Sequence, residues 1–328
     1  MGQMDFENKF DKKQSQTEFD LVKVSQTIES LAVLPKLNNI EPLFGGYSHI
    51  NYRLETDEGD FVLRISHKAE RDFDSEIAIL HALEGKVPVP RVFWSKKFAD
   101  EFNGHFAILH YIPGSLLCDV EDDLDAYQIA RIGFQLGQML ALFHKIRFDK
   151  SGFLGANFSV SEPFDSFTSG YFGHMLYCLN NKRVASRLKR NTLSRLKEYT
   201  KSNSAIIENL KFTQHLTHSD FNQKNILVGK ADGKWNVTAI LDWEFAYSGA
   251  PLGDFGNFFR YQEMNPYYKE ALVSAYLENG GVLSDYWERE ARFLDILPML
   301  QFLSREDELP NTFKTACSVI ENTLDLDC

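Results

Sequence analysis

Thr217-His-Ser-Asp220-Phe-Asn-Gln-Lys-Asn225-Ile-Leu-Val228, closed by Ala239-Ile-Leu-Asp242-Trp-Glu244, decides the fold. Asp220 is followed five positions later by Asn225, and both adjoin short apolar runs. A second acid, Asp242, ends the apolar run Val237 to Leu241. Between the runs lies the turn-rich segment Gly229-Lys-Ala-Asp-Gly-Lys234. Apolar runs of this length read as strands, which predicts a loop, a hairpin and an acid at the hairpin's end. Phosphoryl transfer needs these parts. One carboxylate accepts the proton of an acceptor hydroxyl, while an amide oxygen and a second carboxylate hold magnesium on nucleotide phosphates.

The bland alternative is an ordinary loop in which Asp and Asn make Asx turns. Against it stands the ordered company of the motif, because Asp-x-x-x-x-Asn is the spacing of a kinase catalytic loop. His218, two residues before Asp220, joins Asp220 as a candidate catalytic residue, and Asn225 and Asp242 are the candidate metal ligands. The chain also contains a literal Asp254-Phe-Gly256. Asp254 lies 34 residues after Asp220 and beyond Gly249 and Pro251, where the strand is finished. It is expected to support the catalytic loop through hydrogen bonds rather than to bind metal.

His218-Ser-Asp220 with Asn225, Ile240-Leu-Asp242-Trp-Glu244 and Gly249-Ala-Pro251-Leu-Gly-Asp254 resembles the aminoglycoside phosphotransferase family, with its choline, thiamine and homoserine kinase relatives. The resemblance runs from about residue 40 to 300. It implies an α+β, two-lobed protein-kinase-like fold, with a small antiparallel-sheet N-lobe and a larger, mainly helical C-lobe. It also implies ATP as phosphoryl donor, with GTP open, and Mg2+. One position departs from the pattern: Ser219 stands where the family usually has glycine. Serine fits many backbone conformations, so function is expected to survive.

A chain of 328 residues suits one large domain or two lobes. Its 44% hydrophobic and 25% charged residues are those of an ordinary globular protein. The net charge of −11 argues against nucleic acid and mildly favours a cationic small substrate. Cys118, Cys178, Cys317 and Cys328 form no Cys-x-x-Cys pair, which fits reduced thiols in a cytoplasm. No apolar run approaches membrane-spanning length, the polar start is no signal peptide, and no membrane partner is expected.

Residues 1–16 read as a polar tail, and Phe19, Val22, Ile28 and Leu31 mark a short helix. Leu43-Phe-Gly45-Gly46-Tyr-Ser48 and the runs around it predict strand, glycine turn, strand, turn, strand. Amides of such a turn approach phosphates closely, which makes Gly45, Gly46 and Ser48 candidate nucleotide contacts. No Walker loop occurs. Arg64 falls on the third strand, where a kinase carries its phosphate-pairing Lys; several members of the resembled family place Arg there. A helix follows with Ile77, Leu80 and Leu83 on one face, and Glu76 is the candidate partner of Arg64. Two more strands lead to Tyr111-Ile112-Pro-Gly114, read as a hinge whose backbone meets the adenine edge.

This divides the chain into an N-lobe over 17–110, a hinge over 111–114 and a C-lobe over 115–328. The acids Asp119, Glu121, Asp122, Asp123 and Asp125 precede a helix over 126–146 and read first as helix-start residues. His144 reads as packed or capping rather than as a ligand. Residues 164–210 look largely helical, and helices near 266–278, 284–304 and 310–323 finish the chain. In the resembled family these last helices line the acceptor pocket, which makes Glu263, Glu278, Asp285, Glu288 and Glu290 candidates to face a cation. The expected activity is phosphorylation of a hydroxyl on a small, amine-bearing molecule. The alternative is a kinase-like protein that binds nucleotide or ligand with little turnover.

Overall fold

The computed structural model describes residues 19–43, 49–261 and 266–327. Gly45, Gly46, Ser48, Glu263, Cys328 and the polar tail lie outside the described residues.

In the N-lobe, α1 (Leu21–Leu31) is N-capped by Asp20, which accepts from the Val22 amide. It buries Val24 and Ile28 against one face of a five-stranded antiparallel sheet. The strands are β1 (Leu37–Leu43), β2 (His49–Thr56), β3 (Gly59–Ser66), β4 (Val92–Ala99) and β5 (Gly104–His110), in the order β1-β2-β3-β5-β4. Alternation explains the faces. Tyr52, Leu54, Leu63, Ile65, Phe106 and Ile108 pack beneath α1, which sends Arg64 to the other face. Over that face lies α2 (Glu70–Leu83). Its buried apolar residues are Phe73, Ile79, Leu80 and Leu83, and Ile77 is only partly buried. The face is therefore rotated from the one the sequence suggested, and this brings Glu76 inward.

The chain crosses between lobes at residues 111–114, outside any helix or strand. Gly114 passes so close to the next sheet that a Cβ there would sit 2.8 Å from the Val228 carbonyl oxygen. The C-lobe opens with β6 (Ser115–Leu116), α3 (Leu117–Val120) and α4 (Ala126–His144). Asp125 and Gln128 close a capping box on α4, with bonds of 2.8 and 3.1 Å. Then come β7 (Gly152–Leu154), β8 (Val160–Pro163), α5 (Gly173–Leu179), α6 (Lys182–Arg187), α7 (Arg190–Ser202) and α8 (Ser204–Asn209). The catalytic stretch supplies β9 (His215–Thr217), β10 (Ile226–Ala231), β11 (Lys234–Ile240) and β12 (Tyr247–Gly249). Helices α9 (Leu252–Phe258), α10 (Pro266–Glu278), α11 (Trp287–Ser304) and α12 (Pro310–Asp327) follow.

Strands β10 and β11 form the expected hairpin, but its turn is only Asp232-Gly233, with φ of 50° and 74°. Positive φ at both central residues matches the twist of the flanking strands. Sheet β11-β10-β6 joins the hairpin to the interlobe crossing, and sheet β8-β7-β12-β9 feeds the chain into the loop after Thr217. Helix α4 lies against α10, where a Cβ on Gly137 would come within 2.1 Å of the Leu272 carbonyl oxygen. The core under the loop runs from Leu80 and Leu83 of the N-lobe to Phe143, Phe221 and Trp243 of the C-lobe.

Candidate active site

Asp220 sits at the end of a loop whose backbone is fixed from below. Asp254, at the start of α9, is fully buried. Its Oδ1 accepts the Ser219 amide at 2.7 Å, and its Oδ2 accepts the His218 amide at 2.9 Å. The same Oδ2 lies 2.9 Å from His144 Nε2, and His144 Nδ1 meets the Tyr276 hydroxyl at 3.2 Å. Both oxygens of Asp254 are therefore spent on loop and helix. His144 is a packed, bonded histidine, as the sequence indicated.

His218 is likewise held away from the cleft, with no exposed surface. Its Nδ1 accepts the Asp220 amide at 3.2 Å, so its proton is on Nε2, 2.9 Å from the Leu241 carbonyl oxygen. Burial depresses its pKa against the opposing charge of Asp254, keeping the ring neutral. Its geometry is that of a strut between the loop and the end of β11. That differs from the catalytic place expected for it, because both ring nitrogens are already committed.

The Asp220 carboxylate is oriented by two amides. Asn222 Nδ2 reaches its Oδ1 at 2.9 Å, and Asn225 Nδ2 reaches its Oδ2 at 2.8 Å. The Asn225 side-chain oxygen is thereby turned away from Asp220. Burial pushes the Asp220 pKa up to about 7, helped by the charge of Asp242 and opposed by Arg260 and the Asn225 hydrogen bond. The backbone amide of Leu241 donates to the Asn225 carbonyl at 2.8 Å, which ties the loop to the strand end beside Asp242.

Asp242 occupies the left-handed region, φ 64°, where Asp is among the tolerated residues. Its side chain keeps 21% of its surface open, in contrast to Asp254. From the N-lobe, Arg64 pairs with Glu76 and comes within 3.4 Å of Asp242 Oδ1. Arg64 and Glu76 thus meet as the sequence indicated. Asn225 and Asp242 offer hard oxygen atoms on neighbouring, hydrogen-bonded segments, a donor set that fits a magnesium ion.

At the interlobe crossing the Tyr111 amide is occupied by the Asp60 carbonyl at 3.0 Å, and the Arg53 guanidinium lies over the Tyr111 ring at 4.7 Å. Strand pairing thus extends past β5 and consumes the Tyr111 amide, which leaves the expected base contact to other backbone groups of 111–114.

A family model, that of the phosphotransferase enzyme family, matches residues 39–293, more than three quarters of the chain. The chain belongs to that family. Among solved structures, the phosphotransferase is similar to a mutant of aminoglycoside 2'-phosphotransferase-IIIa in complex with GDP. The TM-score is 0.73 at 14% identity, covering 94% of this chain and 98% of that one. It is also similar to a thermostable mutant of aminoglycoside phosphotransferase APH(4)-Ia in ternary complex with AMP-PNP and hygromycin B. Here the TM-score is 0.69 at 14% identity, covering 92% and 98%. A third likeness is to a putative aminoglycoside phosphotransferase from Ralstonia eutropha, with TM-score 0.67 at 16% identity, covering 94% and 98%. At these identities the likeness is one of fold: the two-lobed, kinase-like architecture. No curated protein matches the chain.

Ser219 of this phosphotransferase has φ 70°, the left-handed region that favours glycine. Serine does not fit that conformation freely, so the sequence-based expectation is corrected. The strain, about 1–2 kcal/mol for a non-glycine residue, is held in place by the Asp254 bond. Of the acids expected to face a cation, Glu263 lies outside the described residues and three of the others are engaged by neighbours. Glu278 accepts from Ser274, Glu290 from Ser284, Glu288 pairs with Lys269, and Asp285 is exposed.

Sequence reasoning missed a buried pair whose arginine acts on Asp220. Arg260 makes two 2.8 Å bonds to Asp295 on α11. Asn257, oriented to satisfy both its ends, accepts from Arg260 at 2.8 Å and donates to the Phe221 carbonyl at 3.0 Å. Partners 35 residues apart leave no local signal. Asn222 was missed as well; its place two residues after Asp220 inside the motif is the signal that could have found it.

Proposed function

We propose that this protein transfers the terminal phosphoryl group of a nucleoside triphosphate, ATP or GTP, to a hydroxyl of a small molecule. The observation that carries the reading is the half-buried Asp220 carboxylate, held by Asn222 and Asn225 beside the open Asp242. Residues 17–110 hold the nucleotide and residues 115–328 the acceptor, with 111–114 between them.

Asp220 is the general base. A pKa of about 7 lets it accept the acceptor's proton as the hydroxyl attacks, and the two Asn amides aim its oxygens. Asn225 Oδ1 and Asp242 are the atoms that would hold Mg2+, which, when bound, screens the charge of the phosphate chain. Arg64, fixed by Glu76, faces the phosphates, and Gly45, Gly46 and Ser48 are the further residues proposed to contact them. With the Tyr111 donor taken, Ile112 is left to meet the base. His218 acts as a positioning residue.

An amine on the acceptor is supported by the net charge of −11 and not by Glu278, Asp285, Glu288 or Glu290, which are paired or exposed. Within the described residues no helix is long and apolar enough to cross a membrane. Free Cys118, Cys178 and Cys317 support a reducing, cytoplasmic location.

The test is coupled nucleotide turnover with ATP and with GTP, across aminoglycosides, choline, thiamine, homoserine and sugars. Acceptor-dependent turnover that disappears in Asp220→Asn supports the reading. Nucleotide binding without acceptor-dependent turnover on any hydroxyl compound would sink it in favour of a binding protein.

A further inference from the structure

Helix α9 reaches the catalytic loop at two points, one on each side of Asp220. Before Asp220, the carboxylate of Asp254 accepts the His218 and Ser219 amides at 2.9 and 2.7 Å. After it comes the carbonyl of Phe221, a residue with no exposed surface. A buried carbonyl needs a donor. Asn257 supplies it. Three residues beyond Asp254, it lies on the same side of α9 and keeps 3% of its surface exposed.

The orientation of the Asn257 amide follows from its neighbours. One of its polar atoms lies 2.8 Å from Arg260 Nη2, the other 3.0 Å from the Phe221 carbonyl oxygen. A guanidinium donates and never accepts, and a carbonyl oxygen only accepts. The amide oxygen therefore faces Arg260, and the nitrogen faces the loop. Arg260 is held in turn, since its Nε and Nη2 each make a 2.8 Å bond to the buried carboxylate of Asp295. Nη2 carries two protons, one for Asp295 and one for Asn257. Helix α11, which bears Asp295, presses on α9 at Gly256, where a Cβ would come within 2.4 Å of the Ala291 carbonyl oxygen. A line of hydrogen bonds thus runs from α11 through Arg260 and Asn257 to the residue next to Asp220.

The polar backbone of Asp220 itself is served from inside the loop. Its amide donates to His218, and its carbonyl accepts from Asn222 and Asn225 at 3.0 and 2.9 Å. Those bonds move with the loop, whereas Asp254 and Asn257 tie it to a helix outside it. We propose that Asn257 is a positioning residue for phosphoryl transfer. Paired with Asp254, it clamps the loop on both sides of Asp220, and the Arg260–Asp295 pair holds its amide in the working orientation. The inference rests on the base role of Asp220 given above. Without the Phe221 bond, the backbone after Asp220 shifts and the carboxylate leaves the line of the acceptor hydroxyl. A misplacement of about 1 Å costs on the order of a hundredfold in rate.

The experiment measures turnover of Mg2+-ATP, with water as acceptor and with the best hydroxyl compound of the panel above, and nucleotide affinity by calorimetry. The proteins compared are wild type, Asn257→Leu, Asn257→Asp, Asp220→Asn, and Asp220→Asn combined with Asn257→Leu. Asn257→Leu should lower kcat about a hundredfold and leave nucleotide KM and affinity within about threefold. In Asn257→Asp the ionised carboxylate still accepts from Arg260 but has no proton for Phe221, so kcat should fall likewise. This variant decides the matter if the leucine variant does not fold. In the Asp220→Asn background, Asn257→Leu should cost less than about threefold more, because no base is left to aim. Wild-type kcat in a variant with a lowered melting temperature would reduce Asn257 to a packing contact and overturn the proposal. Equal loss with and without Asp220 would overturn it too, since the effect would not pass through the base. If Asp220→Asn alone turns over as fast as wild type, the base assignment fails and takes the clamp with it, a failure distinct from the others.

Discussion

Asp254 Oδ1 accepts the amide of Ser219 at 2.7 Å, at the point where the loop carries a serine with φ 70°. The acid of a literal Asp-Phe-Gly is thus spent on holding a strained backbone, while Asp242 keeps an open carboxylate. Asp254→Ala should destabilise the protein by about 3–5 kcal/mol, since it leaves loop amides and His144 without their buried anion. The protein that remains folded should still bind Mg2+-nucleotide. Asp242→Asn, chosen because Asn tolerates φ 64°, should lose Mg2+-dependent binding with little change in melting temperature. Melting curves and calorimetry on both variants decide it; the opposite pattern would move the metal site to Asp254.

Ser219→Gly should relax the loop. The left-handed conformation disfavours serine by about 1–2 kcal/mol, and glycine's greater unfolded-state freedom returns about 0.5–1 kcal/mol of that. A net gain of up to about 1 kcal/mol is expected, with kcat within a factor of about two, because the Asp254 bond is to the backbone. Denaturant midpoints measure the gain. A loss of stability would mean that the hydroxyl has a role of its own.

Asp220 carries a pH dependence of both rate and stability. Its ionised form is the base, so kcat/KM should rise with pH and level off above about 7. In the folded protein its pKa is about 7, against 3.8 for a free side chain, so between those values the folded state holds the extra proton. Stability from this group is therefore present at low pH and lost as pH rises through about 7, on the order of 1–3 kcal/mol. Asp220→Asn should lower kcat by about a hundred- to ten-thousand-fold. Its melting temperature relative to wild type should climb from pH 5 to pH 8. A flat difference would show that Asp220 titrates normally.

The Arg260–Asp295 pair should behave as one unit. Asp295→Ala leaves a buried guanidinium beside the catalytic loop and should destabilise by about 3–5 kcal/mol. Arg260→Leu combined with Asp295→Leu should destabilise less than the sum of the single changes. Additive effects in this cycle, read from denaturant unfolding, would mean that the two side chains do not depend on each other.

What was legible in the sequence is what short-range chemistry writes there. Arg64 was marked by its place on the third strand, and the Asp-x-x-x-x-Asn spacing, with an acid ending the next strand, marked Asp220, Asn225 and Asp242 as candidates. The position of Asp254 beyond the strand is the ground for expecting it to support the loop, and its bonds to the His218 and Ser219 amides are of that kind. Backbone conformation was not legible: nothing in His218-Ser219-Asp220 announces a φ of 70° except the family's preference for glycine. Long-range polar pairing was equally hidden. Arg260 and Asp295 are joined only when elements distant in sequence pack together. The Tyr111 donor was lost to a strand that continues one bond further than its apolar run.

The bond from the Leu241 amide to the Asn225 carbonyl closes the β10–β11 hairpin at its base, and the Asp232-Gly233 turn closes it at its tip. The separation between Asn225 and Asp242 is therefore set by the ladder's register, like teeth on two meshed racks. One residue inserted within β11 would slip the ladder and turn Asp242 to the opposite side. The same residue inserted at the tip would be absorbed by the turn. For anyone attaching a reporter to this enzyme, the tip is a tolerant address and the strand a forbidden one.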